Sequence, residues 1–147
     1  MMFCDTSFGA RLYVPEQDSD TIRQIIEQHD AVSVSALFQV EVLSVFHRLW
    51  RENWWSQATF QASARQFQRD LAGGLWQLYP LTAGIIAEAV RRYETLPKTI
   101  FLRAADCLHL ATALQHGFDE IHTFDRHQAN AARAFGLRAV TAGDELH

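Results

Sequence analysis

The sequence predicts an α/β fold in which a central, mostly parallel β-sheet is flanked by helices. Three observations predict it. Short apolar segments of strand character alternate with longer segments of helical period. The helical segments are long enough to carry the chain back to the same end of a sheet, as right-handed βαβ crossovers require. Breakers at Pro15, Gly73-Gly74, Pro97, Gly117 and Gly136 separate the segments.

The elements follow in order. Met2 to Asp5 reads as a first strand, and Thr6 to Tyr13 as a short helix ended by Pro15. Ser19 to His29 reads as a helix with Ile22, Ile25 and Ile26 on one face. Ala31 to Val34 is a second strand. Ala36 to Asn53 is a long apolar helix with Ser35 as its expected N-cap. Gln57 to Leu71 is a more polar helix stopped by Gly73 and Gly74. Leu75 to Tyr79 is a third strand, Thr82 to Thr95 a helix, and Leu102 to Gln115 an Ala- and Leu-rich helix closed by Gly117. Glu120 to Thr123 is a fourth strand, Arg126 to Phe135 a helix with Gly136 at its end, and Arg138 to Val140 a last strand.

The 147 residues suit a single domain spanning 1–147 with an independent core. No apolar run approaches the roughly 20 residues that span a bilayer. The segment Met1 to Arg11 lacks the pattern of a secretory signal, so the expected compartment is the cytoplasm, with no membrane partner. The two cysteines, Cys4 and Cys107, make no disulfide framework and no zinc pattern, and read as small buried hydrophobes. The formal charge of −4 argues against a general polyanion-binding surface. It argues less against a nuclease in which metal ions supply positive charge locally.

Parallel sheets place their chemistry at the carboxyl ends of the strands. Two acids stand there. Asp5 follows Met2-Phe3-Cys4, and Asp125 follows Ile121-His122-Thr123-Phe124. Each also reads as an N-cap for the helix after it. Two more acids lie on apolar helices. Glu41 has Leu37, Phe38, Ser44 and Val45 as helical neighbours, and an acid on that stripe needs a partner or a metal. Asp106 has small or apolar flanks near a helix start, and its alternative is an ion pair with Arg103. Four carboxylates converging on one cleft would repel one another or demand cations. An all-oxygen site suits a hard cation such as Mg²⁺ or Mn²⁺, which can activate water and neutralise phosphate oxygens.

At these residues the sequence resembles the PIN-domain ribonucleases, and within them the VapC-type toxins of bacterial toxin–antitoxin pairs. The matching pieces are Cys4-Asp5-Thr6-Ser7 running into Leu12-Tyr13-Val14-Pro15-Glu16, then Ser33-Val34-Ser35-Ala36-Leu37 with Glu41-Val42. Arg103-Ala104-Ala105-Asp106-Cys107-Leu108-His109-Leu110-Ala111-Thr112-Ala113 follows. Thr123-Phe124-Asp125-Arg126 and Ala131-Ala132-Arg133-Ala134-Phe135-Gly136-Leu137 complete the set. The resemblance implies a PIN-like fold and a Mg²⁺- or Mn²⁺-dependent endoribonuclease with Asp5, Glu41, Asp106 and Asp125 as its catalytic and metal-binding acids. It implies that Thr6, Thr123 and Ser35 support the site, while Arg126 either contacts the RNA backbone or is an ordinary solvated arginine on its helix. A homodimer and a cognate antitoxin are implied as partners. Phe8 and Gly9 depart from the family pattern, which usually has small or long aliphatic residues there.

Other features are read more plainly. Trp50, Trp54 and Trp55, with Arg48 and Arg51, end the long helix. They pack in a helical hairpin or, where exposed, meet an antitoxin or a second copy. The seven histidines show no zinc spacing and read as solvated or hydrogen-bonded. A receiver or haloacid-dehalogenase-like domain would want a lysine by the acids, and the only lysine, Lys98, sits beside Pro97. A non-catalytic PIN-like module that binds RNA or protein is the alternative reading, which a missing acid would favour.

Overall fold

The computed structural model describes residues 1–15 and 19–141. Its strands are β1 (Met2–Phe3), β2 (Val32–Ser35), β3 (Trp76–Tyr79), β4 (Glu120–His122) and β5 (Arg138–Val140). Its helices are α1 (Thr6–Gly9), α2 (Ser19–Glu27), α3 (Leu37–Arg51), α4 (Gln57–Ala72), α5 (Ala83–Thr95), α6 (Ala104–Gln115) and α7 (Arg126–Ala134), with a 3₁₀ turn at Ala10–Leu12. Every strand pair is parallel. Strands β1, β2 and β3 form one ladder and β4 and β5 another. A parallel bridge between Cys4 and His122, with the Asp5 N–H donating to the His122 carbonyl at 3.2 Å, joins them. The order across the sheet is therefore β3-β2-β1-β4-β5.

That order positions the site. The chain leaves β1 toward β2 on one side and later returns to lay β4 on the other. The crevice beyond the carboxyl ends of β1 and β4 is the topological switch point, where parallel α/β sheets bind ligands.

Period-two alternation divides the core between the two faces of the sheet. Met2 and Cys4 join a cluster with Phe8, Ile22, Ile26, Phe38, Phe46 and Phe67, under α2, α3 and α4. Phe3 joins the opposite cluster with Ile85, Leu110, Ala111 and Ala131, under α5, α6 and α7. Cys4 therefore packs in the apolar core beneath Asp5, and Cys107 lies in the other cluster. Both thiols are free. Burial raises the Cys4 pKa, and carries that of Cys107 up to about 11, so both stay protonated at neutral pH.

Phe8 and Gly9, the two departures from the family pattern, have packing reasons. The Phe8 ring stacks on Phe124 at 5.4 Å between centroids and meets His122 edge-on. A Cβ built on Gly9 would lie 2.6 Å from Cε1 of Phe38 and 3.3 Å from the Trp76 ring. Only the absence of a side chain lets α1 approach α3 this closely.

Several boundaries differ from the expected ones. The first helix tightens into the 3₁₀ turn after Gly9 instead of running unbroken to Tyr13. Ser35 is not the N-cap of α3: it ends β2, and Ala36 holds the cap position without a side-chain hydrogen bond. The Ser35 hydroxyl still accepts from the Leu37 N–H at 3.2 Å. Helix α6 starts at Ala104, two residues later than expected, because Arg103 keeps an extended backbone. Glu16, which closes the first matched segment, lies outside the described residues.

The tryptophans divide between packing and exposure. Trp50 stacks on Phe60 and Trp55 packs against Phe46 within the α3–α4 hairpin, whereas Trp54 is 76% exposed. Among the described residues no helix is long and apolar enough to cross a membrane.

Candidate active site

A cleft of about 430 Å³ opens at the switch point, and Asp5, Glu41, Asp106 and Asp125 all line it. Each reaches it from a different element. Asp5 ends the β1 segment and caps α1. Asp125 follows β4 and caps α7, where its Oδ1 accepts from the His127 and Gln128 N–H groups at 2.8 and 3.3 Å. Glu41 comes from the second turn of α3 and Asp106 from the first turn of α6. The two strand-end aspartates thus cap their helices and also line the cleft. A residue that must stop a strand and start a helix at the sheet edge is also one that faces the crevice.

Supporting groups orient each acid. Asp5 Oδ1 accepts from the Ser7 hydroxyl at 2.7 Å and the Phe8 N–H at 3.2 Å, and Oδ2 accepts from the Thr123 hydroxyl at 2.6 Å. The Thr123 Oγ1 in turn accepts from the Asp125 N–H at 3.0 Å, linking the two aspartates through one hydroxyl. Glu41 Oε1 accepts from the Thr6 hydroxyl at 2.8 Å and is in contact with Nε2 of His109. Arg103 spans the remaining pair: its Nε donates to Asp106 Oδ2 at 2.9 Å and its Nη2 to Asp125 Oδ2 at 3.1 Å. The ion pair expected as an alternative for Asp106 therefore exists inside the cleft.

The Thr6 hydroxyl donates to Glu41 and the Thr123 hydroxyl to Asp5. Ser35 is buried at the start of α3 and does not line the cleft. Arg126 is exposed at the start of α7, also off the cleft wall. Four contributors escaped the site reading of the sequence. Ser7 ties Asp5 to the Phe124 N–H, which donates to its hydroxyl at 2.9 Å. Gln128 Nε2 donates to the Asp106 carbonyl at 3.1 Å and fixes α7 to α6. His109 is buried on the Asp106 helix, one turn from it, and Arg103 opens the same helix. The signal for these last two was their helical spacing from Asp106, three residues to either side. Ala10, Arg11, Val14, Ser44, Val45 and Arg48 complete the wall, and Glu41, Ser44, Val45 and Arg48 form one stripe of α3.

The electrostatics separate the acids. Burial pushes the Asp5 carboxyl above its ordinary value, against the opposing pull of His109 and of the Ser7, Thr123 and Phe8 donors. For Glu41, burial also acts upward, but the His109 contact, then Thr6 and Arg103, hold it below the usual range. A carboxyl raised on folding favours the folded state while protonated. Its contribution is fully present below the unfolded pKa and is lost as pH rises through the folded one. Ionised Asp5 therefore costs stability at neutral pH. Asp5→Asn is expected to raise Tm at pH 7 without divalent metal, because an amide keeps the Ser7 and Phe8 bonds and can donate to Thr123. A thermal melt checks this, and an unchanged or lower Tm at pH 7 would show that the buried charge is already compensated.

The donor set is four carboxylates on one cleft, the chemistry that hard divalent cations prefer. Among the described residues no three His, Cys, Asp or Glu side chains stand close enough to form a ready-made metal-binding group. The acids face each other across the cleft, with Arg103 drawn onto two of them. Hydrogen bonds from Thr6, His109 and Arg103 engage one oxygen each of Glu41 and Asp106, which leaves the second oxygen of each for a cation. The residues fit such an ion.

Comparison with known proteins agrees with this architecture. VapC20 of Mycobacterium tuberculosis, described as a sarcin-ricin loop cleaving toxin, superposes with a TM-score of 0.67 at 18% identity, covering 89% of this chain and 95% of that one. FitAcB from Neisseria gonorrhoeae gives a TM-score of 0.72 at 18% identity over 95% of this chain and 96% of that one. VapBC2 from Rickettsia felis, bound to a DNA fragment from its promoter, gives 0.63 at 11% identity over 96% and 98%. No curated protein matches the sequence. The profile of the PIN domain matches residues 2–134, nearly the whole length, and the chain belongs to the PIN domain family.

Proposed function

We propose that this protein is a divalent-metal-dependent endoribonuclease of the VapC toxin type, with Asp5, Glu41, Asp106 and Asp125 as its catalytic acids. The observation that carries the reading is the convergence of these four carboxylates on one cleft at the switch point of a PIN sheet. The similarity to a toxin described as cleaving the sarcin-ricin loop, and to toxin–antitoxin complexes, supports RNA as substrate and an antitoxin as partner.

Asp5, Glu41 and Asp106 would hold Mg²⁺ or Mn²⁺, with Asp125 completing the set. Such an ion supplies a lowered pKa for water and charge to offset the phosphate oxygens. The chain supplies the geometry. Ser7 and Thr123 fix Asp5, Thr6 and His109 fix Glu41, and Arg103 donates to Asp106 and Asp125. Arg11 and Arg48 on the cleft wall offer positive charge to flanking phosphates, which a chain of net charge −4 needs locally. Arg126 meets the RNA backbone outside the cleft. The exposed Ile86, Val90 and Tyr93, at helical spacing along α5, support a homodimer, and exposed Trp54 supports a protein contact at the α3–α4 hairpin. A cytoplasmic site of action follows from the RNA substrate.

The test is to incubate the purified protein with total RNA and map new ends by sequencing. Discrete cuts are expected with Mg²⁺ or Mn²⁺, their loss in excess chelator, and their return when the ion is restored. Metal binding with no cut in any RNA would instead identify a non-catalytic binding module.

A further inference from the structure

Arg103 spans two of the four acids, an unusual position for a basic residue beside a cation site. It is the N-cap residue of α6, yet its side chain makes no cap hydrogen bond. Instead the guanidinium lies across the cleft, with Nε on Asp106 at 2.9 Å and Nη2 on Asp125 at 3.1 Å. The Asp125 carboxylate and the Asp106 backbone are held independently of Arg103. The other oxygen of Asp125 takes the two N–H groups that open α7, and Gln128 clamps the first turn of α7 to the Asp106 carbonyl. Both are therefore fixed, whereas the Arg103 side chain is 64% exposed and reaches the acids from solvent. An exposed ion pair of this kind is weak and easily exchanged.

We propose that Arg103 is a resident counter-ion of the Asp106–Asp125 pair, which competes with the divalent cation for these acids and, once displaced, binds the substrate's phosphate. This rests on the reading of the cleft as a divalent-cation site. Two physical facts point the same way. The guanidinium takes the one oxygen of Asp125 that its helix cap leaves open, and its charge opposes a cation's approach to both acids. A guanidinium freed at the rim of an acidic cleft that has just gained an ion has one favourable new partner, a planar-bidentate phosphate. The residue thus neutralises the acids when the cleft lacks an ion and turns to the RNA when the ion arrives.

The test uses the full chain as Arg103→Gln and Arg103→Lys. The first readout is Mn²⁺ affinity by calorimetry without RNA, and the second is binding of a labelled single-stranded RNA by anisotropy in Ca²⁺, with the RNA checked for integrity. For Arg103→Gln, Mn²⁺ binding is expected to tighten by about thirtyfold, the scale in water of one unit charge removed about 4 Å from a divalent ion. Its RNA binding is expected to weaken, with the slope of log K against log salt falling by about 0.7, one phosphate contact on a single strand. Arg103→Lys keeps the charge but not the span. It is expected to retain the wild-type RNA slope while its Mn²⁺ binding still tightens.

A merely structural role would weaken both affinities together and lower Tm in a metal-free melt. That outcome, or an unchanged Mn²⁺ affinity, or an unchanged RNA slope in Arg103→Gln, overturns the proposal. Wild-type protein that binds Mn²⁺ but cuts no RNA would defeat the nuclease reading and leave the calorimetry to decide Arg103. Wild-type protein that binds no Mn²⁺ would defeat the metal reading, and this proposal with it.

Discussion

Asp106→Asn is expected to lower the rate of RNA cleavage by well over the roughly 10- to 100-fold that loss of a supporting partner costs a metal site. Asp106 presents its carboxylate to the cleft from the first turn of α6, with one oxygen on Arg103. The amide is nearly isosteric and can still accept from Arg103, so the change removes a negative oxygen and little else. Its effect should fall on cation binding and cleavage, with Tm held close to the wild-type value. The measurement pairs a time course on a labelled RNA with calorimetric titration of Mn²⁺ into wild type and variant. A variant within about tenfold of the wild-type rate would place the chemistry elsewhere, since no supporting role of the kind seen in metal sites is smaller.

Phe38→Ala is expected to cost about 3–5 kcal/mol, the range for truncating a fully buried aromatic ring. Phe38 is completely buried and packs on Trp76 at 4.7 Å and edge-on to Phe67 at 5.7 Å between ring centroids. Its ring also fills the space that a side chain at position 9 would need. For a chain of this size the loss corresponds to a fall in Tm of roughly 10 °C or more. The same contact predicts a coupling. Gly9→Ala alone overpacks the site and should cost about 1–3 kcal/mol. In the Phe38→Ala background the added methyl enters a cavity, and its cost should shrink or change sign. Denaturant melts of the four proteins in this cycle measure the coupling directly. Additive costs would mean that α1 and α3 move apart to relieve the clash.

The acid positions were legible because local sequence constrains them. Asp5 and Asp125 each follow an apolar strand and precede a helix, so they had to sit at a carboxyl edge of the sheet. Glu41 and Asp106 break apolar helical stretches, and a carboxylate in such a place needs a reason. Thr6, Thr123 and Ser35 came from the resemblance alone. The Thr6 and Thr123 hydroxyls meet Glu41 and Asp5, whereas Ser35 accepts from the Leu37 N–H. It lies at the end of β2, away from the switch point, and strand order cannot be read from one strand's own residues. Trp54 and Trp55 show the same limit, since adjacent identical residues on one loop end in opposite environments.

By itself, the sequence determined the alternation of strands and helices and the placing of four carboxylates where a parallel sheet opens. These are local properties, set by propensity, periodicity and the residues that end each element. Only the tertiary structure decided how the acids are held. The contact of His109 with Glu41 joins residues 68 positions apart, that of Thr123 with Asp5 118, and that of Arg103 with Asp125 22. Each depends on where β4 lies beside β1 and how α6 crosses the sheet. Those are outcomes of packing the whole chain at once, so no single segment carries a signal of them.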